Sequence, residues 1–220
     1  MLEIVIASRN RHKVHELKRL LAVRHARWCC LSDVGPVPAI RETGATFEAN
    51  AIKKARAAAK ATGRLALADD SGIEVDALKG APGVRSARWT GSHGNDAANN
   101  AKLLRLLRGV KRPRRGAQYR CVLALASPVR VLAVAQGRWR GRIAAAPRGH
   151  RGFGYDPVFF LPRLSRTVGQ LPAAVKQRIS HRAIAARRMR RALTRLIGST
   201  GSETRRAALR AARRRRARAA

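Results

Sequence analysis

The chain has 220 residues, a 45 % hydrophobic fraction, and 48 Lys plus Arg against 12 Asp plus Glu, for a formal net charge of +36. Length and apolar content exclude a disordered polymer over most of the chain and fit one domain with a real core, while adjacent Cys29 and Cys30 and a lone Cys121 lack disulfide-framework or zinc-site spacing. Residues 1–100 hold 16 Lys plus Arg and 10 acids, a balance of +6, and residues 101–220 hold 32 and 2, a balance of +30; such a field attracts nucleotides and nucleic acid, or it reflects compositional drift of the coding sequence.

In chain order, residues 2–7 are a short apolar run that ends in the polar stretch Ser8-Arg9-Asn10-Arg11, as a buried strand ends in a loop. Val14, Leu17, Leu20 and Leu21 recur at helical spacing and predict a helix from His12 to about Val23. A second strand is expected over 28–31, then a break at Gly35-Pro36-Val37-Pro38. Thr46 can cap an Ala-rich helix to about Thr62, with Gly63 in the position of a left-handed C-terminal residue. Residues 65–68 predict a strand that ends at Asp69-Asp70-Ser71-Gly72 and resumes over 73–75. Gly80, Pro82 and Gly83 mark a loop, and 96–107 is helical in period. Alternation at Tyr119, Cys121, Leu123 and Leu125, and again at Val129, Val131, Ala133 and Ala135 around Ser127-Pro128, predicts a β-hairpin. Gly152 to Phe160 is a glycine-rich turn running into an aromatic strand, and Ala185, Met189, Leu193, Leu196 and Ile197 give a last helix. From Ser199 the apolar pattern fails, and eight Arg among 22 residues describe a solvated basic tail. No stretch approaches the roughly 18 consecutive apolar residues of a membrane span, and no basic-then-apolar leader opens the chain, so a soluble, cytoplasmic protein is expected. Early strand–helix alternation followed by a hairpin predicts a mixed α/β fold with a long twisted sheet.

Three groups of residues could carry chemistry. Ser8, Asn10 and Lys13, where a strand end meets a helix start, form a natural phosphate cradle or a plain capping loop, without Walker A spacing. Asp69, Asp70, Glu74 and Asp76, with Glu42 before Thr43-Gly44, could hold Mg²⁺, which would neutralise phosphate charge and acidify a water, or could form a surface loop with Asp69 as a cap. Gly152 to Asp156 with Lys176 and Ser180-His181-Arg182 offers Phe153 to stack on a base and His and Arg donors for a purine carbonyl; the alternatives are Phe153 in the core, His181 as a cap and Arg182 as one Arg among 39.

Taken together and in this order, these segments over roughly residues 1–198 resemble the inosine triphosphate pyrophosphatase family, the XTP/dITP diphosphatases that clear deaminated purine nucleoside triphosphates. Ser8-Arg9-Asn10-Arg11-His12-Lys13 is similar to the family's Thr-Gly-Asn-x-x-Lys loop, and Glu42-Thr43-Gly44-Ala45-Thr46-Phe47 to its Glu-Thr-Gly-x-Thr-Phe block. Ala68 to Gly72, Gly80 to Arg88, Gly152 to Phe159 and Ser180-His181-Arg182 stand at family positions too.

The resemblance implies an elongated α/β fold, a mixed twisted sheet flanked by helices in two lobes around a central active-site cleft, in a homodimer. It implies Mg²⁺-dependent attack of water on the α-phosphorus of ITP, dITP or XTP, releasing nucleoside monophosphate and pyrophosphate. Asp70 would be proton acceptor and metal ligand, with Glu42 a second metal contact. Ser8, Arg9, Asn10, Arg11, His12 and Lys13 would grip the triphosphate, and Ser71 would touch substrate. The purine would sit against Phe153, Gly154, Tyr155 and Asp156 and be read by Lys176, His181 and Arg182. Arg9 replaces a family glycine, the segment 171–175 lacks acids usual in relatives, and the tail 199–220 lies beyond the family domain, where it could add nonspecific nucleic-acid contact. A nucleic-acid-binding or inactive relative is the alternative.

Overall fold

The computed structural model describes residues 1–35, 37–38, 40–91 and 94–198. Pro36 of the expected break and the basic tail 199–220 lie outside the described residues. The elements run β1 (Leu2–Ile6), α1 (Arg11–Leu20), β2 (Ala26–Cys30), α2 (Phe47–Thr62), β3 (Leu65–Val75), α3 (Asp96–Leu106), β4 (Gly116–Ala126), β5 (Val131–Ile143), β6 (Phe159–Leu161), β7 (Arg166–Thr167), α4 (Ala173–Ile179) and α5 over 181–198. The strands form one sheet in the order β2-β1-β3-β4-β5-β6-β7, parallel among the first three and antiparallel beyond. The expected mixed α/β architecture with flanking helices is thus present.

Helix starts follow the capping residues. Asn10 Oδ1 accepts from the Lys13 amide at 3.1 Å to open α1, and Thr46 Oγ1 accepts from the Ala49 amide at 3.1 Å to open α2. Gly63 ends α2 at φ +66°, as expected of a C-terminal glycine. Three expectations are corrected. The first helix stops at Leu20 rather than near Val23, where the chain turns to enter β2. Val129, counted in the second half of the alternation, is 81 % exposed in the hairpin turn. Residues 65–75 are one continuous strand, so Asp69 and Asp70 lie in mid-strand, paired with Leu123 and Val122 of β4. Buried counter-charges keep both carboxylates inside a strand that composition alone breaks.

Helices α1 and α5 cover one face of the sheet through Leu17, Leu21, Met189 and Leu193 against Leu67 and Leu123. Helix α2 covers the other with Ala51, Ala55 and Ala58 against Ala66, Ala68 and Val122, and its small side chains let it lie close. At the far end of the long β3–β4 pair a third cluster joins Ile73 and Val75 to Leu103, Tyr155, Val158 and Phe159. Residues 69–72 run between these cores, the cleft of a two-lobed molecule.

Candidate active site

Successive side chains of a strand point to opposite faces, so neighbours Asp69 and Asp70 serve two different environments. Asp69 faces α1 and α5. Lys13 Nζ lies 2.5 Å from its Oδ1, Arg182 Nε 3.1 Å from its Oδ2, and Ser71 Oγ and Cys121 Sγ donate to it at 3.0 and 3.1 Å. Burial opposes ionisation of this fully enclosed carboxyl, yet Lys13 and Arg182 outweigh it and hold it well below the usual carboxylate range. Asp70 faces α2. There Asn50 and Lys54, one turn apart on the same helix face, place Nδ2 3.2 Å from Oδ2 and Nζ 3.0 Å from Oδ1. Burial pushes the Asp70 carboxyl up and Glu42 adds to the rise, while Lys54 and Lys13 pull against it.

Lys54 also reaches Glu42 at 2.7 Å, and Arg88 Nη1 holds the other Glu42 oxygen at 2.8 Å. Burial disfavours the Glu42 charge, but these two cations lower its pKa overall. Asn50 ties the same corner together: its Oδ1 accepts from the Gly44 amide at 2.8 Å, so the Glu42-Thr43-Gly44 segment is fixed to the residue that holds Asp70. A hollow of about 590 Å³ opens here, lined by Ser8, Arg9, Asn10, Lys13, Glu42 and Asp70 among others. The positive-φ non-glycine residues described are His25, Lys79 and Ser165, so Arg9 fits its place without a left-handed backbone, and its Nη2 donates to the Val37 carbonyl at 2.9 Å.

A second cavity, about 330 Å³, adjoins the first at Asn10, Lys13, Ser71 and Ala87. It gathers Arg11, His12, Phe153, Gly154, Tyr155, Asp156, Lys176, His181 and Arg182. Helix α3 sets the aromatic turn: Asp96 Oδ2 accepts from the Gly154 amide at 2.6 Å and Asn100 Nδ2 donates to its carbonyl at 3.0 Å. Gly152, at φ +80°, could carry no side chain, because a Cβ there would overlap the Asp156 carboxylate that accepts from the Phe153 amide. Phe153 stacks on His12 with centroids 5.4 Å apart, and Lys176 Nζ stands 4.3 Å from its ring centre.

Lys176 spans Glu16 at 3.0 Å and Asp156 at 2.7 Å. Arg182, 1 % exposed, gives Nε to Asp69, Nη1 to Glu16 at 2.6 Å and Nη2 to Ser71 at 2.8 Å, leaving two of a guanidinium's five N–H donors. His181 lies against Tyr119, ring centres 4.6 Å apart, and burial, reinforced by Arg182 and Lys176, drives its pKa well down, so it is neutral. Its Nδ1 is buried and has no partner among the described residues. Gly137 of β5 makes this possible: a Cβ there would overlap the His181 carbonyl and the Ala185 amide, so only glycine lets the start of α5 lie on the strand.

Every residue that the resemblance assigns to the site therefore lines one of two joined cavities, while of the wider groups Gly152, Ser180, Glu74 and Asp76 do not; the last two pair with Arg120 at 3.1 Å and Arg140 at 2.8 Å. The grouping of Asp69 with Asp70 around one ion is also corrected, since the strand's alternation turns them apart. Glu16, Asn50 and Lys54 were missed in sequence. The signal was faint, a carboxylate just before the helix hydrophobe Leu17 and a polar pair at i and i+4 in an alanine helix.

The chain is 47 % identical over 201 residues to a dITP/XTP pyrophosphatase of Geobacillus kaustophilus, covering 91 % of this chain and 98 % of that one. It is 49 % identical over 205 residues to one of Mycolicibacterium paratuberculosis, covering 91 % and 100 %. A solved HAM1 protein from Coxiella burnetii superposes with a TM-score of 0.82 at 43 % identity, over 89 % of this chain and all of that one. With the model of the Ham1 family matching residues 4–192, which span both cavities, this chain belongs to the Ham1 family.

Proposed function

We propose that residues 1–198 form an enzyme that hydrolyses deaminated purine nucleoside triphosphates, ITP, dITP and XTP, to the monophosphate and pyrophosphate. The observation that carries this reading is the pair of joined cavities, one with base-sized aromatic walls and spare cationic donors, the other with a phosphate cradle and a carboxylate of raised pKa. Relatives named dITP/XTP pyrophosphatase support the substrate class.

The triphosphate lies along Ser8, Arg9, Asn10 and Lys13, where the amides at the start of α1 and the Lys13 ammonium meet its charge. Asp70, raised by burial, accepts the proton of the attacking water, while Asn50 and Lys54 hold the carboxylate in one orientation. Asp69, held ionised by Lys13 and Arg182, acts instead as the fixed point that positions those two cations. In the base pocket Lys176 and Arg182 keep unused N–H groups and can accept nothing. A 6-oxo purine satisfies them, whereas a 6-amino purine leaves buried donors facing a donor. Neutral His181 can donate or accept, so the discrimination rests on the two cations.

The donor set suits Mg²⁺. One ammonium, Lys54 Nζ, already touches both Glu42 and Asp70, so the two carboxylates converge on a single cation, and hard oxygens without a full protein cage match an ion that keeps water and substrate phosphates. Bound by Glu42 and Asp70, Mg²⁺ supplies neutralisation of phosphate charge. A homodimer, a cytoplasmic location and nonspecific nucleic-acid contact by the tail 199–220 complete the proposal. Resemblance alone supports the dimer, and no helix described is long and apolar enough to cross a membrane.

The test is pyrophosphate release from ITP, XTP, GTP and ATP with Mg²⁺ and with EDTA, for the chain and for Asp70→Asn. We expect rapid Mg²⁺-dependent release from ITP and XTP, little from GTP or ATP, and a loss of roughly 10²–10⁴-fold in Asp70→Asn, the range of a removed general base. Retained turnover in that variant refutes the role given to Asp70.

A further inference from the structure

The outward face of α5 carries charge that neither cavity uses. Arg187, Arg188, Arg190, Arg191 and Arg195 are all exposed, and at 100° per residue they fall within an arc of about 160° along about 12 Å of helix. Six of the described arginines off this face meet carboxylates: Arg27 and Arg64 pair with Glu3, Arg88 with Glu42, Arg120 with Glu74, Arg140 with Asp76 and Arg182 with Glu16. None of the five on α5 has an ion pair among the described residues. Arg187 and Arg188 donate only to the carbonyls of Arg178 and Gln136, at 2.8 Å each. No Asp or Glu occurs anywhere between Pro157 and Gly198, so the stretch of chain around the helix brings no counter-charge.

The geometry points to the phosphate backbone of duplex DNA as the partner of this face, held without regard to sequence. Guanidinium groups bind phosphate oxygens two at a time, and a duplex presents one charge per about 1.7 Å of axis, about seven along the length of the stripe. The face bears no exposed large apolar side chain, unlike a helix that lies in a membrane surface, and no aromatic ring to stack on single-stranded bases. Besides arginine it offers only Thr194, so it has no amide side chain to read base edges. A cationic helix of this width fits the wide major groove of B-form DNA and not the narrow one of an A-form RNA duplex. The same helix carries His181 and Arg182 inward at its start, so the DNA-facing stripe and the base pocket are two ends of one rigid element. The inference is independent of the proposed activity.

Fluorescence anisotropy on a labelled random-sequence 20-bp DNA, from 50 to 200 mM NaCl, tests it with the full chain and with Arg190→Gln/Arg191→Gln/Arg195→Gln. The side chains of these three arginines make no hydrogen bond within the described residues and line neither cavity. The slope of log Kobs against log[salt] should become shallower by about 2.7, three phosphates at about 0.9 each, with kcat for pyrophosphate release unchanged and Tm equal or raised. An unchanged slope overturns the proposal. So does an equal change on neutralising Arg105, Arg108 and Arg112 at the opposite end of the molecule, which would reduce the effect to net charge. A loss confined to duplex RNA, or to vesicles of anionic lipid, would assign the stripe to that partner instead.

Discussion

Asp69 and Asp70 are adjacent in the chain and chemically alike, yet one pKa is lowered and the other raised. The stability consequences therefore have opposite sign. A depressed folded pKa contributes stability that is present above the unfolded value near 3.9 and is lost as pH falls toward the folded value. Asp69 supplies such a contribution at neutral pH, and Asp69→Asn would leave Lys13 and Arg182 without their shared carboxylate. Loss of a buried charge partner costs about 3–5 kcal/mol, and denaturation at pH 7 should show a loss of that size. Asp70 disfavours folding where it is ionised, so Asp70→Asn should leave Tm equal or raised at pH 7 while turnover collapses. Chemical denaturation of both variants between pH 3 and 7 checks the pair: the wild type should weaken steeply below pH 4 and Asp69→Asn much less. Equal Tm losses in both variants would refute the division of labour. The two carboxylates stood out in sequence because acids are so scarce here, but their roles did not. What separates them is Lys13, 56 positions away, and Arg182, 113 positions away, against Asn50 and Lys54 on the other face, and no local pattern carries those distances.

Among the elements, the capped helices and the long hairpin were readable because each is set by local chemistry: Asn10 and Thr46 accept at helix starts, Gly63 ends α2, and Ser127-Pro128 lies in the turn between β4 and β5. Helix α4 was not. It has seven residues, too few for a period to show, and it exists to deliver Lys176 to Glu16 and Asp156. Gly137 belongs with what sequence hides, a glycine within an otherwise ordinary strand, required because the backbone of α5 lies where a Cβ would be. Gly137→Ala should push α5 off β5, at about 1–3 kcal/mol for overpacking, and carry His181 and Arg182 with it. The expected signature is a raised KM for ITP and a lowered kcat together with a modest fall in Tm. Full activity with the fall in Tm alone would mean that α5 can shift without disturbing the base pocket.

At the scale of the molecule the charge divides into two populations. Within the site, Glu16, Glu42, Asp69, Asp70 and Asp156 are matched by Lys13, Lys54, Arg88, Lys176 and Arg182, five against five, in pairs that are mostly buried. The excess that makes the chain +36 therefore lies outside this paired network, with Arg9, Arg11 and Arg41 at the cavities and most of the rest in the second half of the chain. Salt screens exposed charges over about 8 Å at physiological strength and buried pairs much less, so ionic strength should act on the exterior and leave the site network intact. Self-repulsion among the surface arginines destabilises the folded state, and screening it should raise Tm as NaCl goes from 20 to 200 mM. The same exterior field draws in a polyanionic triphosphate, so kcat/KM for ITP should fall over that range with kcat unchanged. The two curves running in opposite directions, Tm up and kcat/KM down, is the outcome expected of a charge-matched buried network inside a cationic shell. A kcat that falls in parallel with kcat/KM would show that salt reaches Lys13, Lys54 and Arg182 themselves, and the separation of site from shell would fail.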